Sequence, residues 1–170
     1  MKFLAMGMLL LSGVSCSNIQ TRATKYITFY NVKVPPVVKT TAYTQTERDH
    51  LKYKKKTAAG TTLIANHSAA ADWSQFPIGT KLLIDNKIYV IDDYGSALVK
   101  KTGEIPVVDI YQPSKSMMRK YGSKYHTDVQ IVELGSFQKS LEILSKRQKF
   151  THCRTMLERI KKQQHLYAYN

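Results

Sequence analysis

From residue 37 to residue 134 the chain is a succession of short runs rich in Val, Ile, Thr and Tyr, each closed by a turn signal, and this pattern constrains the fold most. Runs of about four to eight such residues suit strands, whereas crossover helices would need longer stretches of helical period. The runs fall at 37–44, 61–65, 81–84, 87–92, 97–100, 105–110 and 129–134. Asp85-Asn86 and Thr102-Gly103 mark hairpin turns between neighbouring runs. One short helix is expected between Pro113, which suits a first turn, and Gly122, which suits a stop, with Met117, Met118 and Tyr121 on its apolar side. Such spacing predicts a small barrel or sandwich.

After Gly135 the period changes. Phe137, Leu141 and Leu144 recur at helical spacing, and Phe150, Cys153, Leu157 and Ile160 form a second stripe. Lys139, Lys146, Arg147, Lys149, Arg154, Arg159, Lys161 and Lys162 lie between them. Residues 135–170 therefore read as a basic helical extension, either packed on the β domain with solvated lysines or docked on an anionic surface.

The amino terminus carries Lys2, an apolar stretch over 4–11 and the small residues Ser12, Gly13, Ser15 and Cys16. That stretch is too short to span a bilayer and reads as a secretory signal over 1–15. Cys16 stands where a bacterial lipoprotein carries its lipidated cysteine, although Gly13 replaces the usual leucine-like residue. Cleavage after Ser15 without lipidation fits the same residues, so a lipid anchor and free secretion into the cell envelope both remain open. Residues 16–36 read as a tether ending at Pro35-Pro36, with a reach on the order of 25 Å. Cys153 then has no partner cysteine and is expected to pack as a small apolar residue.

Net charge is +14, from 26 Lys and Arg against 12 Asp and Glu, which attracts polyanions of any kind. Export favours an acidic envelope polymer, and no run resembles a nucleic-acid module. His50, His67, His126, His152 and His165 lack metal-ligand spacing, so neither a metal nor a cofactor is expected. Lys52 to Lys56, with Tyr53 inside, reads as a solvated loop or a contact for anionic wall polymer.

Three aspartates carry the chemistry. Asp72 follows Ala69-Ala70-Ala71 and precedes Trp73; it either caps a turn or enters a cleft. Asp92 and Asp93 are adjacent on a strand and point to opposite faces, so Asp93, leading into Tyr94-Gly95, is the cleft candidate and Asp92 the solvent-facing one. Gly95 lets a ligand approach the backbone closely. Asp109 interrupts the apolar run 105–110, where a carboxylate needs either structural hydrogen bonds or a raised pKa that lets it donate a proton. Tyr43, Tyr94 and Tyr111 are candidates for sugar stacking or for packing.

In order along the chain, Thr41-Ala42-Tyr43, Gly60, Ala71-Asp72, Pro77 with Gly79-Thr80, Asp93-Tyr94-Gly95 with Ala97-Leu98-Val99, Asp109-Ile110-Tyr111 and Tyr121-Gly122 resemble the 3D (three-aspartate) domain of bacterial cell-wall proteins, present also in membrane-bound lytic transglycosylase A. The resemblance covers residues 38–132. It implies a mainly β fold: a six-stranded double-psi β-barrel over 37–134 with a C-terminal helical extension, related to the barrels of expansins, rare lipoprotein A and glycoside hydrolase family 45. It also implies a monomeric envelope enzyme that cuts peptidoglycan glycan strands between N-acetylmuramic acid and N-acetylglucosamine. Asp109 would be catalytic, with Asp93 and Asp72 in support. One departure is the separation of Asp93 and Asp109 by 16 positions, longer than usual in the family, with 100–104 as extra hairpin residues. The alternative is a non-catalytic peptidoglycan-binding or structural envelope lipoprotein on the same barrel.

Overall fold

A computed structural model describes residues 35–47, 50–101 and 103–168. The expected signal over 1–15 and Cys16 lie outside the described residues, and the tether over 16–36 enters them only at Pro35-Pro36.

Among the described residues the chain is mainly β, as expected, with seven strands: β1 (Val38–Tyr43), β2 (Ser68–Ala70), β3 (Lys81–Ile84), β4 (Lys87–Asp93), β5 (Val107–Tyr111), β6 (Lys124–His126) and β7 (Gln130–Glu133). They form one mixed sheet in the order β6-β1-β5-β2-β4-β3-β7. Helix α1 (Lys115–Tyr121) lies between β5 and β6, and α2 (Phe137–Ser145) and α3 (Thr151–Ala168) follow the last strand. The expectation of a six-stranded barrel is corrected to this extent: seven strands are present, and the terminal strands β6 and β7 do not pair with each other. The sheet is a curled half-barrel. Its curl brings His126 Nδ1 on β6 to 3.2 Å from Asp85 Oδ1 in the β3–β4 turn, across the open side. Thr40 Oγ1, 2.9 Å from His126 Nε2, holds the other edge of that ring.

The pairing has an internal symmetry. From β6 to β3 it runs antiparallel, parallel, antiparallel, parallel, antiparallel, and reads the same from either end. A pseudo-twofold between β5 and β2 therefore exchanges β1, β2 and β3 with β4, β5 and β6. Each half inserts a strand into the other: β5 lies between β1 and β2, and β2 lies between β4 and β5.

Local sequence explains several elements. Asp85 and Asn86 both have positive φ, 49° and 59°, as a two-residue hairpin turn between β3 and β4 requires. The helix at 115–121 is capped by Ser114, whose side chain accepts from the Met117 N–H, and stops at Gly122 with φ 65°. Two expected strands are absent. Residues 61–65 form an irregular segment with one isolated bridge, Lys56 to Thr62, and 96–98 form a 3₁₀ turn. Their apolar residues serve another purpose: Leu63 and Leu98 are buried with Tyr43, Ala70, Val107 and Tyr111, covering one face of the sheet without pairing to it. Strand β2 was hidden in the sequence because Ser68, Ala69 and Ala70 have weak strand propensity; their small side chains suit a position sealed between β4 and β5.

The two apolar stripes after Gly135 pack on the β domain. Phe137 and Leu144 of α2 and Cys153, Met156, Leu157 and Ile160 of α3 are buried. The turn at 72–76 is the receiving surface. Trp73 is fully buried, its N–H donates to Met156 Sδ at 3.3 Å, and its indole Nε1–H donates to the Asp93 carbonyl at 2.9 Å. Ser140 Oγ accepts from the Ile78 N–H at 3.0 Å. At Gly135 the chain passes so close to this region that a Cβ would lie 2.2 Å from Ile78 O, so only glycine fits.

Candidate functional site

The sheet register brings two of the three aspartates together. Asp93 on β4 and Asp109 on β5 are both opposite Ala70 of β2, and Asp109 is also opposite Thr41 of β1. Residues in register share a face, so Thr41, Asp109, Ala70 and Asp93 make one row, with the two aspartate Cα atoms about 10 Å apart by strand spacing. Two positions along, Tyr43 and Tyr111 lie side by side in the same register, ring centroids 5.7 Å apart. Burial pushes the Tyr43 phenol far above its usual range, and the charges of Asp93, Asp92 and Asp109 push it further, so Tyr43 is a neutral donor where three carboxylate fields meet.

Within this row the carboxylates differ. Asp93 is 5% exposed; its Oδ1 accepts from the Ala58 and Tyr94 N–H groups, both at 2.9 Å, and its Oδ2 from the Tyr43 hydroxyl at 3.2 Å. Burial raises its pKa, opposed by those hydrogen bonds and by His50, whose Nδ1 is 4.0 Å from Oδ2. Asp109 is only partly buried, and its Oδ1 accepts from Thr41 Oγ1 at 2.7 Å. It combines a fixed orientation with access to solvent.

Asp72 has a different task. Its Oδ1 accepts from the N–H and Oγ of Ser74 at 2.8 and 2.6 Å, and Arg159 of α3 donates to its Oδ2 at 2.9 Å. The same guanidinium reaches the Lys100 carbonyl at 2.6 Å. Burial raises the Asp72 pKa against these contacts. Asp72 is the turn-capping aspartate that ties α3 to the β domain.

Asp92 departs from the expectation that it faces solvent. It is 9% exposed, Ser68 Oγ donates to its Oδ2 at 2.7 Å, and burial lifts its pKa to about 6. At the end of β4, where Ile91, Asp92 and Asp93 are all buried, both faces are covered, so strand alternation places neither neighbouring aspartate in water.

A cavity of about 680 Å³ opens beside Asp93. Its wall on the β side comes from 50–58 and from Tyr94, Gly95 and Ser96; the opposite wall is the α2–α3 turn with Lys146, Arg147, Lys149 and Phe150, together with His152 at the start of α3. Of the sequence-derived site residues, Asp93, Tyr94 and Gly95 line it; Asp109, Asp72, Tyr43 and Tyr111 do not. Tyr43 and Tyr111 are 6% and 2% exposed, and the Tyr111 hydroxyl donates to Gln45 Oε1, so both act as packed supports. Tyr94 stands edge-on to Trp73 at 5.0 Å, and its hydroxyl accepts from Arg147 Nη1 at 3.0 Å and lies 3.4 Å from Cys153 Sγ. Cys153 is buried, as expected, and burial raises its thiol pKa.

The sequence signal that would have found this cavity is the pairing of two basic, aromatic-bearing runs, Lys52 to Lys56 with Tyr53 and Lys146 to His152 with Phe150. Neither run has a chemical motif by itself. Among the described residues no group of three or more His, Cys, Asp and Glu is arranged to hold a metal, and no helix is long and apolar enough to cross a membrane.

Neither a protein-family profile nor a curated protein matches the chain significantly.

Proposed function

We propose that the protein is a peptidoglycan lytic transglycosylase-like enzyme in which Asp109 is the single acid and base. The observation that carries this reading is the difference in access within one constellation: Asp72, Asp92 and Asp93 are buried and hydrogen-bonded, while Asp109 is partly exposed on the same row as Asp93. Hydrolysis of the usual type needs two available carboxyl groups, one of them for water or for a glycosyl-enzyme bond. A reaction needing one carboxyl group fits this arrangement better.

In that reaction protonated Asp109 gives its proton to the glycosidic oxygen as the bond to C1 of the N-acetylmuramic residue breaks. The C6 hydroxyl of the same sugar attacks C1, and the Asp109 carboxylate takes the hydroxyl proton. The products are a 1,6-anhydro sugar and a free sugar end; no water is consumed and Asp109 is regenerated in its acid form. Thr41 fixes the carboxyl orientation.

The pairing symmetry, with each half inserting a strand into the other, supports a double-psi architecture for the six strands before β7. Export, peptidoglycan as the partner, and either a lipid anchor at Cys16 or free secretion into the envelope complete the reading. The test is digestion of purified peptidoglycan followed by mass spectrometry for 1,6-anhydromuropeptides. Product from the wild type and none from Asp109→Asn supports it; sedimentation with sacculi and no product from either protein favours a binding module.

A further inference from the structure

We infer that the cavity between the 50–58 segment and the α2–α3 turn is a binding site for a phosphate ester carried on a ring, as in a sugar phosphate or a nucleotide. The inference goes beyond glycan cleavage, because Asp109 does not line this cavity.

Charge is the first argument. Five cationic side chains meet here, Lys52 and Lys56 from one wall and Lys146, Arg147 and Lys149 from the other. Among the described residues none of them forms an ion pair with a carboxylate. Asp93, the one acidic lining residue, is buried and turned onto Ala58, Tyr94 and Tyr43, so it does not neutralise the mouth. Cations gathered without counter-charge repel one another, and a phosphate monoester brings about −1.5 to −2 charge and three acceptor oxygens in one small group. Arg147 is already braced by Tyr94 Oη and the Ala58 carbonyl, both at 3.0 Å, which fixes the plane of its guanidinium before any ligand arrives.

The aromatic residues supply the second argument. Lys52 Nζ lies 4.8 Å from the Tyr53 ring centroid and 5.9 Å from that of Phe150, while Lys149 Nζ lies 5.1 Å from Phe150. These ammonium groups cover ring faces because no anion holds them elsewhere. A ligand with both an anion and a ring replaces both halves of that arrangement: the phosphate draws the ammonium groups off, and the ring takes the uncovered face. Inorganic phosphate replaces only one half. Phe150 stacks on His152 at 5.8 Å and 25°, which keeps the receiving face rigid. The volume of about 680 Å³ is ample for one such molecule.

The test is titration calorimetry on the full-length protein at low salt with four probes: glucose 1-phosphate, uridine monophosphate, inorganic phosphate and glucose. At least one ring-bearing phosphate should bind at least about tenfold more tightly than inorganic phosphate, and glucose should not bind. Which of the two binds better identifies the ring. Lys52→Gln with Lys149→Gln, both exposed positions, should weaken that binding about tenfold or more while leaving the fluorescence of Trp73 unchanged. Equal affinity for all anions, or binding indifferent to the double substitution, overturns the inference. Because Asp109→Asn leaves the cavity intact, loss of anhydro products with retained phosphate binding separates the two readings.

Discussion

Asp93 on β4 and Asp109 on β5 are both in register with Ala70, so a single strand with a methyl side chain separates the two carboxylates. The spacing is set by backbone hydrogen bonds and survives changes in either side chain. Asp93 is buried and accepts from two backbone N–H groups and a phenol, and Asp109 is partly exposed and accepts from Thr41 Oγ1. Asp93→Ala should therefore lower unfolding free energy by about 2–3 kcal/mol, the cost of leaving buried donors without an acceptor. Asp109→Asn should lie within about 0.5 kcal/mol of wild type. Urea melts followed by Trp73 fluorescence measure both, and a reversed order would remove the distinction between a structural and a reactive aspartate.

Arg159 is the only link that the helical extension makes to the Asp72 turn by ion pairing among the described residues. Replacing it by Met keeps the aliphatic stem but leaves a carboxylate, 3% exposed, without its charged donor. A loss of about 2 kcal/mol is expected. Adding Asp72→Asn to Arg159→Met should recover part of it, since the neutral amide no longer needs the guanidinium. If the double variant is as unstable as the sum of the single ones, the two residues do not act as a pair.

Local chemistry was legible in the sequence where a short-range rule decides it. Asp85-Asn86 predicted its hairpin, and the stripes through Phe137, Leu141 and Leu144 and through Phe150, Cys153, Leu157 and Ile160 predicted two helices, with every residue but the half-buried Leu141 and Phe150 buried and Phe150 just ahead of α3. Parallel pairing was not legible, because β1 finds β5 across more than sixty residues and nothing near Thr41 names Asp109 as its partner. Leu63 and Leu98 misled for a related reason: apolar residues in short runs signal burial, and burial came from covering the sheet instead of joining it. Arg147 and Arg159 looked like members of a solvated basic face, since helical phase gives the side a residue occupies and not what meets it. Asp92 was placed outward by alternation, which holds only where one face of a strand is wet.

Buried carboxylates make stability depend on pH in a defined direction. Asp92 has a folded pKa of about 6, above its ordinary value of 3.8, and burial raises those of Asp72 and Asp93 as well. A raised carboxyl pKa means that the folded protein binds the proton more tightly than the unfolded chain. The stabilisation is full below the unfolded pKa and is lost as pH rises through the folded one, so the Asp92 contribution declines between about pH 4 and pH 6. In Asp92→Asn that decline should be reduced, and the variant should be no less stable than wild type at pH 7. Denaturant melts across this interval test the sign; a wild-type contribution that grows between pH 4 and 6 and vanishes in the variant would mean Asp92 is ionised by preference.

Gly135 joins the end of the sheet to α2 at the closest backbone approach among the described glycines. A Cβ there would meet Ile78 O at 2.2 Å, Thr80 N at 2.4 Å and Pro77 O at 2.5 Å, all main-chain atoms that cannot rotate away. The same segment carries two useful bonds, Gly135 N–H to Thr80 Oγ1 at 3.1 Å and Ser136 N–H to Ile78 O at 2.9 Å. Gly135→Ala must separate the chains and break both, so it should cost about 3 kcal/mol or more. Gly103, with φ 90° and open space around its Cα, is the control: Gly103→Ala suffers backbone strain alone, about 1–2 kcal/mol. Because the Gly135 contact seats α2, and α2 leads into the wall of the cavity, Gly135→Ala should also lower phosphate-ester affinity while Gly103→Ala leaves it unchanged. Thermal unfolding and calorimetry on the two variants check both halves, and equal destabilisation by the two alanines would show that the close approach does not hold the helices in place.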